Sequence, residues 1–244
     1  MNFNAKLEAQ NCINWIKNWF ENQSGNAKGI IIGISGGKDS TVAAQLCVEA
    51  IGKSKVIGIL MSNGKQLDIA DSMLVCNHIG INHKIINIAE MYNSLQKAIE
   101  SEDVVIHNQT RTNIPPRIRM TILYAIGQEM GYRVCGTGNL SESYVGYTTK
   151  WGDAACDFNP LANFTSDEVV AIGDELGLPY DLVHKTPSDG LCGKIDEDNL
   201  GFSYAVLNRY IRENVCEDLA VKDKIDKAHK YNKHKLSPVK VFVR

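Results

Sequence analysis

This sequence of 244 residues has no paired cysteine motif, no long apolar run and little net charge. None of the seven cysteines belongs to a CxxC pair, and this pattern favours reduced thiols over a disulfide framework or a zinc site. No apolar run reaches the length of a membrane span. The formal net charge of -2 gives no general electrostatic reason to bind nucleic acid or an anionic membrane. Residues 1–6 lack the pattern of a signal peptide, so we expect a cytoplasmic protein without nucleic-acid or membrane partners.

Buried strands alternate with amphipathic helices along the chain. Continuously apolar, β-branched runs predict strands, which are expected at 29–34, 56–61, 84–88 and 133–136. Helical spacing of apolar residues predicts helices at 5–21, from 39 onward, and at 67–79, 89–100, 115–130, 166–176, 199–212 and 217–230. The alternation predicts an α/β fold with a doubly wound, mainly parallel sheet flanked by helices. We expect one domain over 1–244 with a helical C-terminal extension.

The most informative segment is the glycine-rich turn Ser35-Gly36-Gly37-Lys38-Asp39-Ser40, between the first strand and the next helix. Glycines let the backbone approach a ligand and adopt positive φ. The helix N-terminus that follows offers unpaired N–H groups to an anion, and the serine hydroxyls can add hydrogen bonds to phosphate oxygens. The segment therefore predicts a phosphate site. A plain glycine turn with a Ser/Asp helix cap is the alternative.

Two common nucleotide motifs do not fit this turn. A Walker A loop would need a glycine where Ile32 stands and a Ser or Thr where Asp39 stands. The Rossmann pattern G-x-G-x-x-G is absent here, and the near match at 136–141 lacks its last glycine. Ordinary kinase, GTPase and dehydrogenase functions are therefore unsupported.

The SGGxDS pattern resembles the pyrophosphate loop of the N-type ATP pyrophosphatases, which cleave ATP between the α and β phosphates. That superfamily includes NAD synthetase, GMP synthetase, asparagine synthetase and tRNA-modifying enzymes. The resemblance implies that the turn grips the departing pyrophosphate and that Asp39 helps to hold Mg²⁺. It implies ATP contacts from Gly33, Ile34, Ser35, Gly36, Gly37, Lys38, Asp39 and Ser40.

Nearly the whole chain is similar to the bacterial NAD synthetase family. The segments that carry the similarity are 113–120 (N-x-x-x-R-x-R-M), 136–142 (GTGNLSE), 147–157, 185–191 and the pair His234-Lys235. The resemblance implies an adenine nucleotide alpha hydrolase-like fold and ATP-dependent amidation of nicotinic acid adenine dinucleotide with ammonia. The products would be NAD, AMP and pyrophosphate, formed through an acyl-adenylate. It further implies a homodimer whose partners are small molecules.

The same similarity assigns roles to individual residues. Glu142 would join Asp39 as the second magnesium ligand, and Asp153 would lie near the reacting carboxylate and the incoming ammonia. Contacts with ATP are implied for Thr137, Ser166 and Ser188. Contacts with the acid dinucleotide are implied for Arg117, Lys150, Asp157, His234 and Lys235. Taken singly, these residues could equally be turn, capping or surface residues.

One departure from the family pattern concerns charge. Many relatives have an ATP-contacting lysine where this chain has Ser166, and the missing charge could come from Lys38 or Lys185. Three rival functions share the loop or the sheet: a tRNA thiolase or lysidine synthetase, a GMP synthetase, and a non-enzymatic adenine-nucleotide-binding module. The tRNA enzymes need a basic RNA-binding surface, and thiolases often need paired reactive cysteines. Neither feature is evident in the sequence.

Overall fold

The computed structural model describes residues 3–64, 69–185 and 196–243. Within them, four parallel strands form one sheet in the order β3-β2-β1-β4. The strands are β1 (Gly29–Gly33), β2 (Val56–Leu60), β3 (Asn82–Ile85) and β4 (Tyr132–Cys135). Gly33 pairs with Ile59 on one side of β1, and Ile32 pairs with Cys135 on the other. The chain therefore reverses its direction of winding between β1 and β4, where open α/β sheets bind ligands beyond the strand ends.

Helices cover both faces of the sheet. Their bounds are α1 (Ala5–Asn22), α2 (Lys38–Ile51), α3 (Ile69–Ile79), α4 (Ala89–Glu100), α5 (Asn108–Met130), α6 (Leu140–Val145), α7 (Ser166–Glu175), α8 (Tyr180–Val183), α9 (Asp196–Leu200), α10 (Tyr204–Glu213) and α11 (Leu219–Leu236). The larger core joins one sheet face to α1, α2, α3, α7 and α8, and the smaller core joins the other face to α5. Burial on both faces explains why β1 is a continuous apolar run. The predicted doubly wound parallel sheet is confirmed.

The C-terminal helices form the predicted extension. Val145, Phe202, Leu207 and Ile225 are among the residues of a third apolar cluster that joins α6, α10 and α11. At Gly146 (φ +70°) an added Cβ would lie 2.0 Å from Asn232 Cβ, so only glycine permits this approach of α11 to the end of α6. The end of α11 is thereby held beside the loop after α6. The expectation of a single domain over 1–244 stays a prediction.

Several predicted element bounds were wrong. The third strand is β3 at 82–85 rather than 84–88, and α5 begins at Asn108 rather than at 115. Pro115 and Pro116 therefore lie inside α5 instead of in its first turn, and Pro115 is buried there. Tertiary packing outweighs the local helix-breaking tendency of these prolines.

The C-terminal helix predictions also needed correction. The helix predicted at 199–212 is interrupted at Gly201 (φ +74°), and Ser203 starts α10 by accepting a hydrogen bond from Val206 N–H. The last helix runs to 236 rather than 230, while the short helices α6 and α8 were not predicted. No helix in the described ranges is both long and apolar enough to cross a bilayer.

Candidate active site

The turn between β1 and α2 is fastened to the first turn of α2. Ser35 N–H donates to Ser40 Oγ at 3.2 Å, and Gly37 N–H donates to Ser35 Oγ at 3.2 Å. Ser40 Oγ and Thr41 Oγ1 both donate to the Gly37 carbonyl, at 3.1 and 2.8 Å. These bonds hold the loop at the N-terminus of a 14-residue helix. A loop held in this way at a helix N-terminus suits an anion such as pyrophosphate.

Gly36 is the residue of the turn that tolerates no side chain. Its φ is +80°, and an added Cβ would lie 2.9 Å from Asp71 Cβ and 3.0 Å from Ser72 N. The first turn of α3 is thus packed directly against the loop. Lys185 Nζ lies 2.6 Å from Asp71 Oδ2, so this cation is also close to the turn.

Gly36→Ala is expected to weaken nucleotide binding in addition to lowering stability. Its matched control is Gly177→Ala, since Gly177 also has positive φ (+68°) but nothing within 4 Å of an added Cβ. Both variants should lose about 1–2 kcal/mol of unfolding free energy through left-handed strain, but only Gly36→Ala must displace α3 from the loop. Denaturant melts and equilibrium ATP binding check this. Equal ATP affinities for the two variants would contradict the steric role of Gly36.

Asp39 and Glu142 face the same space from two different helices. Asp39 Oδ1 accepts a hydrogen bond from Asn139 Nδ2 at 3.0 Å, and Lys38 Nζ lies 2.7 Å from Asp39 Oδ2. Glu142 Oε2 accepts from Asn139 N–H at 3.2 Å, and Asn139 Oδ1 accepts from Glu142 N–H at 3.0 Å. Asn139 is completely buried. It therefore holds both carboxylates in place, one through its side chain and the other through a capping box at the start of α6.

The electrostatics of these two acids favour a bound cation. Burial, followed by repulsion from Asp39, raises the pKa of Glu142 to about 8, although Lys38 and the Asn139 backbone act in the opposite direction. A divalent cation between the carboxylates would remove that repulsion. No group of three or more metal-ligating His, Cys, Asp or Glu side chains occurs in residues 3–64, 69–185 and 196–243. Two carboxylates completed by phosphate oxygens and water are a donor set that fits Mg²⁺.

Asp153 is an exposed residue whose charge acts on Glu142. Its Oδ1 accepts a hydrogen bond from Thr149 N–H at 2.9 Å, and its Oδ2 accepts from Thr148 Oγ1. Its charge raises the pKa of Glu142 further, after the larger effects of burial and Asp39. Asp153 is therefore within electrostatic range of Glu142. Its position beside the reacting carboxylate stays a prediction.

Four of the five residues predicted to contact the acid dinucleotide come together around the loop after α6. Lys150 Nζ donates to the His234 carbonyl at 3.1 Å, and Arg117 Nε donates to the Lys150 carbonyl at 3.4 Å. Lys235 Nζ donates to the carbonyls of Gly146 and Thr148 at 2.7 and 3.0 Å. Beside them is a cleft of about 530 Å³, lined by Lys150, Trp151, Lys233, His234, Ser237, Pro238, Val239 and Lys240. Its three lysines make it suited to phosphate groups.

Comparison with known proteins identifies the family of this chain. A family model described as NAD synthase matches residues 8–244. The chain belongs to the NAD synthase family. It is 42% identical over 209 residues to an NH(3)-dependent NAD(+) synthetase of Thermococcus sibiricus, covering 82% of this chain and 81% of that one. It is 38% identical over 246 residues to the Finegoldia magna protein of the same name, covering 99% and 97%.

Solved structures give the same result for the fold. NMN synthetase from Francisella tularensis superposes with a TM-score of 0.91 at 30% identity, covering 98% of this chain and 99% of that one. An NH3-dependent NAD synthetase from Campylobacter jejuni superposes with a TM-score of 0.80 at 24% identity, covering 99% and 100%. The adenine nucleotide alpha hydrolase-like fold is thus confirmed. The family match makes the chain an ATP-dependent ligase that forms a carbon–nitrogen bond.

In this NAD synthase family member, three predicted site residues are not among those gathered at the 35–40 loop or at the loop after α6. Asp157 Oδ2 accepts a hydrogen bond from Val134 N–H at 2.7 Å, so its carboxylate binds the backbone of β4. Ser166 is buried, with its N–H bonded to Ser141 Oγ and its Oγ bonded to Asn208 Nδ2, each at 3.0 Å. Ser188 lies outside the described residues, as does the rest of the similar segment at 185–191 apart from Lys185. Their ligand contacts stay predictions.

The remaining predicted ATP contacts share one edge of the sheet. Gly33 is the last residue of β1, and Ile34 after it donates its N–H to the Ile59 carbonyl at 3.0 Å. Thr137 follows the neighbouring strand β4, and Gly136 N–H before it donates to the Phe158 carbonyl at 2.8 Å. Because β1 and β4 are parallel neighbours, both segments leave the sheet at its carboxyl edge.

Asn139, which bonds both acids, was not among the predicted site residues. The spacing of Asn139 and Glu142 is that of a capping box, and this signal was present in the sequence. The contact between Asn139 and Asp39, however, joins residues 100 positions apart. Local spacing could not have predicted it.

Proposed function

We propose that this protein makes NAD by amidating nicotinic acid adenine dinucleotide with ammonia, using ATP and releasing AMP and pyrophosphate. The observation that carries the proposal is the pair of acids, Asp39 and Glu142, held by Asn139 beside the loop at 35–40. Membership of the NAD synthase family supports it, as do relatives named NH(3)-dependent NAD(+) synthetase.

A carboxylate must be activated before ammonia can attack it, because direct attack would have to expel an oxide. In the first step, a carboxylate oxygen of the substrate attacks the α-phosphorus of ATP, and the bond from that phosphorus to the α,β-bridging oxygen breaks. Pyrophosphate leaves with the electron pair. In the second step, the ammonia nitrogen attacks the acyl carbon, AMP leaves with the carbonyl-bound oxygen, and the nitrogen loses a proton to solvent. The products are the amide, AMP and pyrophosphate.

The loop at 35–40 is suited to take the pyrophosphate charge. The N-terminus of α2 supplies N–H groups and a positive dipole end. Lys38, only 7% exposed and paired with Asp39, adds a cation. A Mg²⁺ ion held by Asp39 and Glu142 would neutralise developing charge on the leaving group. Preorganised charge of this kind stabilises the transition state more than the ground state.

The basic cleft beside α11 supports the choice of a dinucleotide as the acid substrate. Lys150, Lys233 and Lys240 line it, and Trp151 offers a ring that is 55% exposed. Lys150 Nζ lies 5.5 Å from the centre of that ring. A lysine-rich cleft with an accessible indole suits a ligand with phosphates and flat bases.

Free ammonia is the proposed nitrogen donor. Hydrolysis of glutamine by this chain would need a nucleophilic thiol. Burial raises the pKa of Cys12 to about 12, and that of Cys76 and of Cys156 to about 11. These three thiols stay protonated at neutral pH and are poor nucleophiles. Relatives named NH(3)-dependent NAD(+) synthetase support ammonia as the donor.

The test incubates pure protein with ATP, Mg²⁺, ammonium and the acid dinucleotide, and then quantifies NAD, AMP and pyrophosphate. We expect the three products in equal amounts, and at least a tenfold lower rate when glutamine replaces ammonium. Release of ADP and phosphate would contradict the proposed chemistry. Equal rates with glutamine would contradict the proposed donor. Replacing the substrate by xanthosine monophosphate should give no turnover.

A second candidate substrate is nicotinic acid mononucleotide. The TM-score of 0.91 to a structure named NMN synthetase, against 0.80 for one named NAD synthetase, favours it. The chemistry at the carboxylate is the same, and only the adenylyl half of the acid substrate differs. The two substrates are distinguished by dividing kcat/KM for the acid dinucleotide by kcat/KM for the acid mononucleotide. A quotient above 1 supports our first proposal, and a quotient below 1 supports the second.

Magnesium as cofactor, a cytoplasmic location and a homodimer are also proposed, on the strength of the family resemblance. A homodimer would have twice the 27.0 kDa mass of one chain. Sedimentation equilibrium measures that mass directly, and a single monomer species at micromolar concentration would contradict the dimer.

A further inference from the structure

Arg119 lies where β1 and β2 end. It belongs to α5, and its Nε donates to the carbonyl of Met61, the residue after β2, at 3.0 Å. One helical turn later, Leu123 lies 3.6 Å from where a Cβ on Gly33 would be, and Met61 Cε lies 3.4 Å from the same point. Arg119 is therefore close to the ends of β1 and β2, and the 35–40 loop follows directly after β1.

The guanidinium of Arg119 has an uncommitted hydrogen-bonding face. Over residues 3–64, 69–185 and 196–243, the bond to Met61 is its only hydrogen bond, and it makes no ion pair. Every fully buried side-chain nitrogen or oxygen in those ranges has a hydrogen-bond partner. The terminal nitrogens of Arg119 therefore remain accessible. They present the planar fork that binds carboxylates and phosphates in a bidentate manner.

Arg119 also lies in a half-buried environment that favours a bound anion. Burial lowers its pKa, while the charge of Asp153 acts in the opposite direction. A partly desolvated cation is costly unless an anion approaches it. Asp153 is exposed and already accepts hydrogen bonds from Thr148 and Thr149, so it leaves Arg119 available to a second carboxylate.

The neighbouring cations already have protein partners. Lys38 Nζ lies against Asp39, and Lys235 Nζ donates to two carbonyls. Lys150 Nζ donates to the carbonyl of His234, while exposed Arg117 donates to that of Lys150. Because Asp153 would repel an incoming carboxylate, a cation beside it is needed to hold the acid substrate.

We propose that Arg119 binds the carboxylate of the acid substrate. This inference rests on the proposed function. The fork would hold the nicotinate carboxylate for attack on the α-phosphorus and offset its repulsion by Asp153. After amidation the group is a neutral amide, so the same contact is lost and the product is held less tightly. Arg119 would thus make the site prefer the acid over its amide.

The test compares binding of two ligands that differ only in this group, nicotinic acid adenine dinucleotide and NAD, without ATP. We expect Arg119→Gln to weaken acid binding roughly 10- to 100-fold, as expected for loss of a charge-assisted hydrogen bond, with little effect on NAD. Arg119→Lys should lose part of the preference, because lysine lacks the fork. Arg117→Gln is the matched control and should weaken both ligands alike, leaving the acid-to-amide ratio unchanged.

Isothermal titration calorimetry gives the ratios, and thermal melts check that each variant folds. If Arg119→Gln weakens binding of the acid and of the amide equally, so that the ratio of their affinities is unchanged, the proposal is overturned. If Arg119→Gln does not fold, an unchanged ratio in Arg119→Lys overturns it. If the wild-type protein binds neither dinucleotide, the proposed function fails together with this inference. Acid binding with an unaltered ratio in the variants removes the inference alone.

Discussion

Replacing Asp39 by asparagine is expected to lower kcat for amidation by roughly 10²- to 10³-fold, the usual cost of losing one preorganised charge-stabilising group. The substitution keeps the size of the side chain but removes a charge that faces Glu142 and Lys38. Magnesium would then have one carboxylate instead of two. Steady-state rates at saturating ATP, Mg²⁺ and ammonium measure the effect.

The control for this prediction is Asp223→Asn. Asp223 forms an exposed pair with Lys227 at 2.6 Å on α11, and exposed pairs of this type contribute little. Its kcat should match that of the wild-type protein. Asp39→Asn should also need more Mg²⁺ for half-maximal rate. If Asp39→Asn kept more than a third of wild-type kcat, the role of Asp39 as a metal ligand would be wrong.

Magnesium affinity is expected to depend strongly on pH because of Glu142. Burial and repulsion from Asp39 raise the pKa of this carboxyl to about 8, from an ordinary value of 4.5. Below pH 8 the metal-free protein holds a proton there, and magnesium must displace it. The apparent affinity for Mg²⁺ should therefore fall about tenfold per pH unit below 8 and become flat above it. Titration calorimetry at pH 6 to 9, in the presence of an ATP analogue, measures this.

Glu142→Gln is the matching variant. It should bind Mg²⁺ weakly, with a much smaller pH dependence between 6 and 8, since no proton remains to be displaced. A wild-type affinity that is flat over this range would contradict the assignment of Glu142.

The stability of the metal-free protein also depends on the protonation of Glu142. Because folding raises this pKa, the folded state holds the proton more tightly, so this contribution to stability is present below pH 4.5 and is lost as pH rises through 8. Magnesium should restore it.

The sheet and the position of the phosphate loop could be predicted because they depend on local patterns. A buried β-branched strand followed by glycines and a helix is recognisable without tertiary information, and β1, the 35–40 turn and α2 lie where expected. The roles of Thr137 and Glu142 came from the family resemblance. The structure places β1 and β4 as parallel neighbours, so the segments that follow them leave the sheet at the same edge.

Other parts of the site depend on contacts between distant residues. Pro115 and Pro116 suggested a helix start, yet α5 begins seven residues before the first of them. Ser166 matched the position of a lysine in relatives, but the structure gives it buried partners on α6 and α10. The resemblance gave Arg117 a substrate contact and gave Arg119 none. The greater burial of Arg119 and its bond to Met61 appear only in the structure.

The central claim is that the loop at 35–40 holds the outgoing pyrophosphate while Asp39 and Glu142 share a magnesium ion. A crystal structure with Mg²⁺ and α,β-methylene ATP, which has no cleavable α,β-bridging oxygen, tests this most directly. We predict the β- and γ-phosphates on the N–H groups of the loop, with the metal bridging both carboxylates and phosphate oxygens. Phosphates bound in the cleft beside Lys150, or a metal that touches neither acid, would contradict the account.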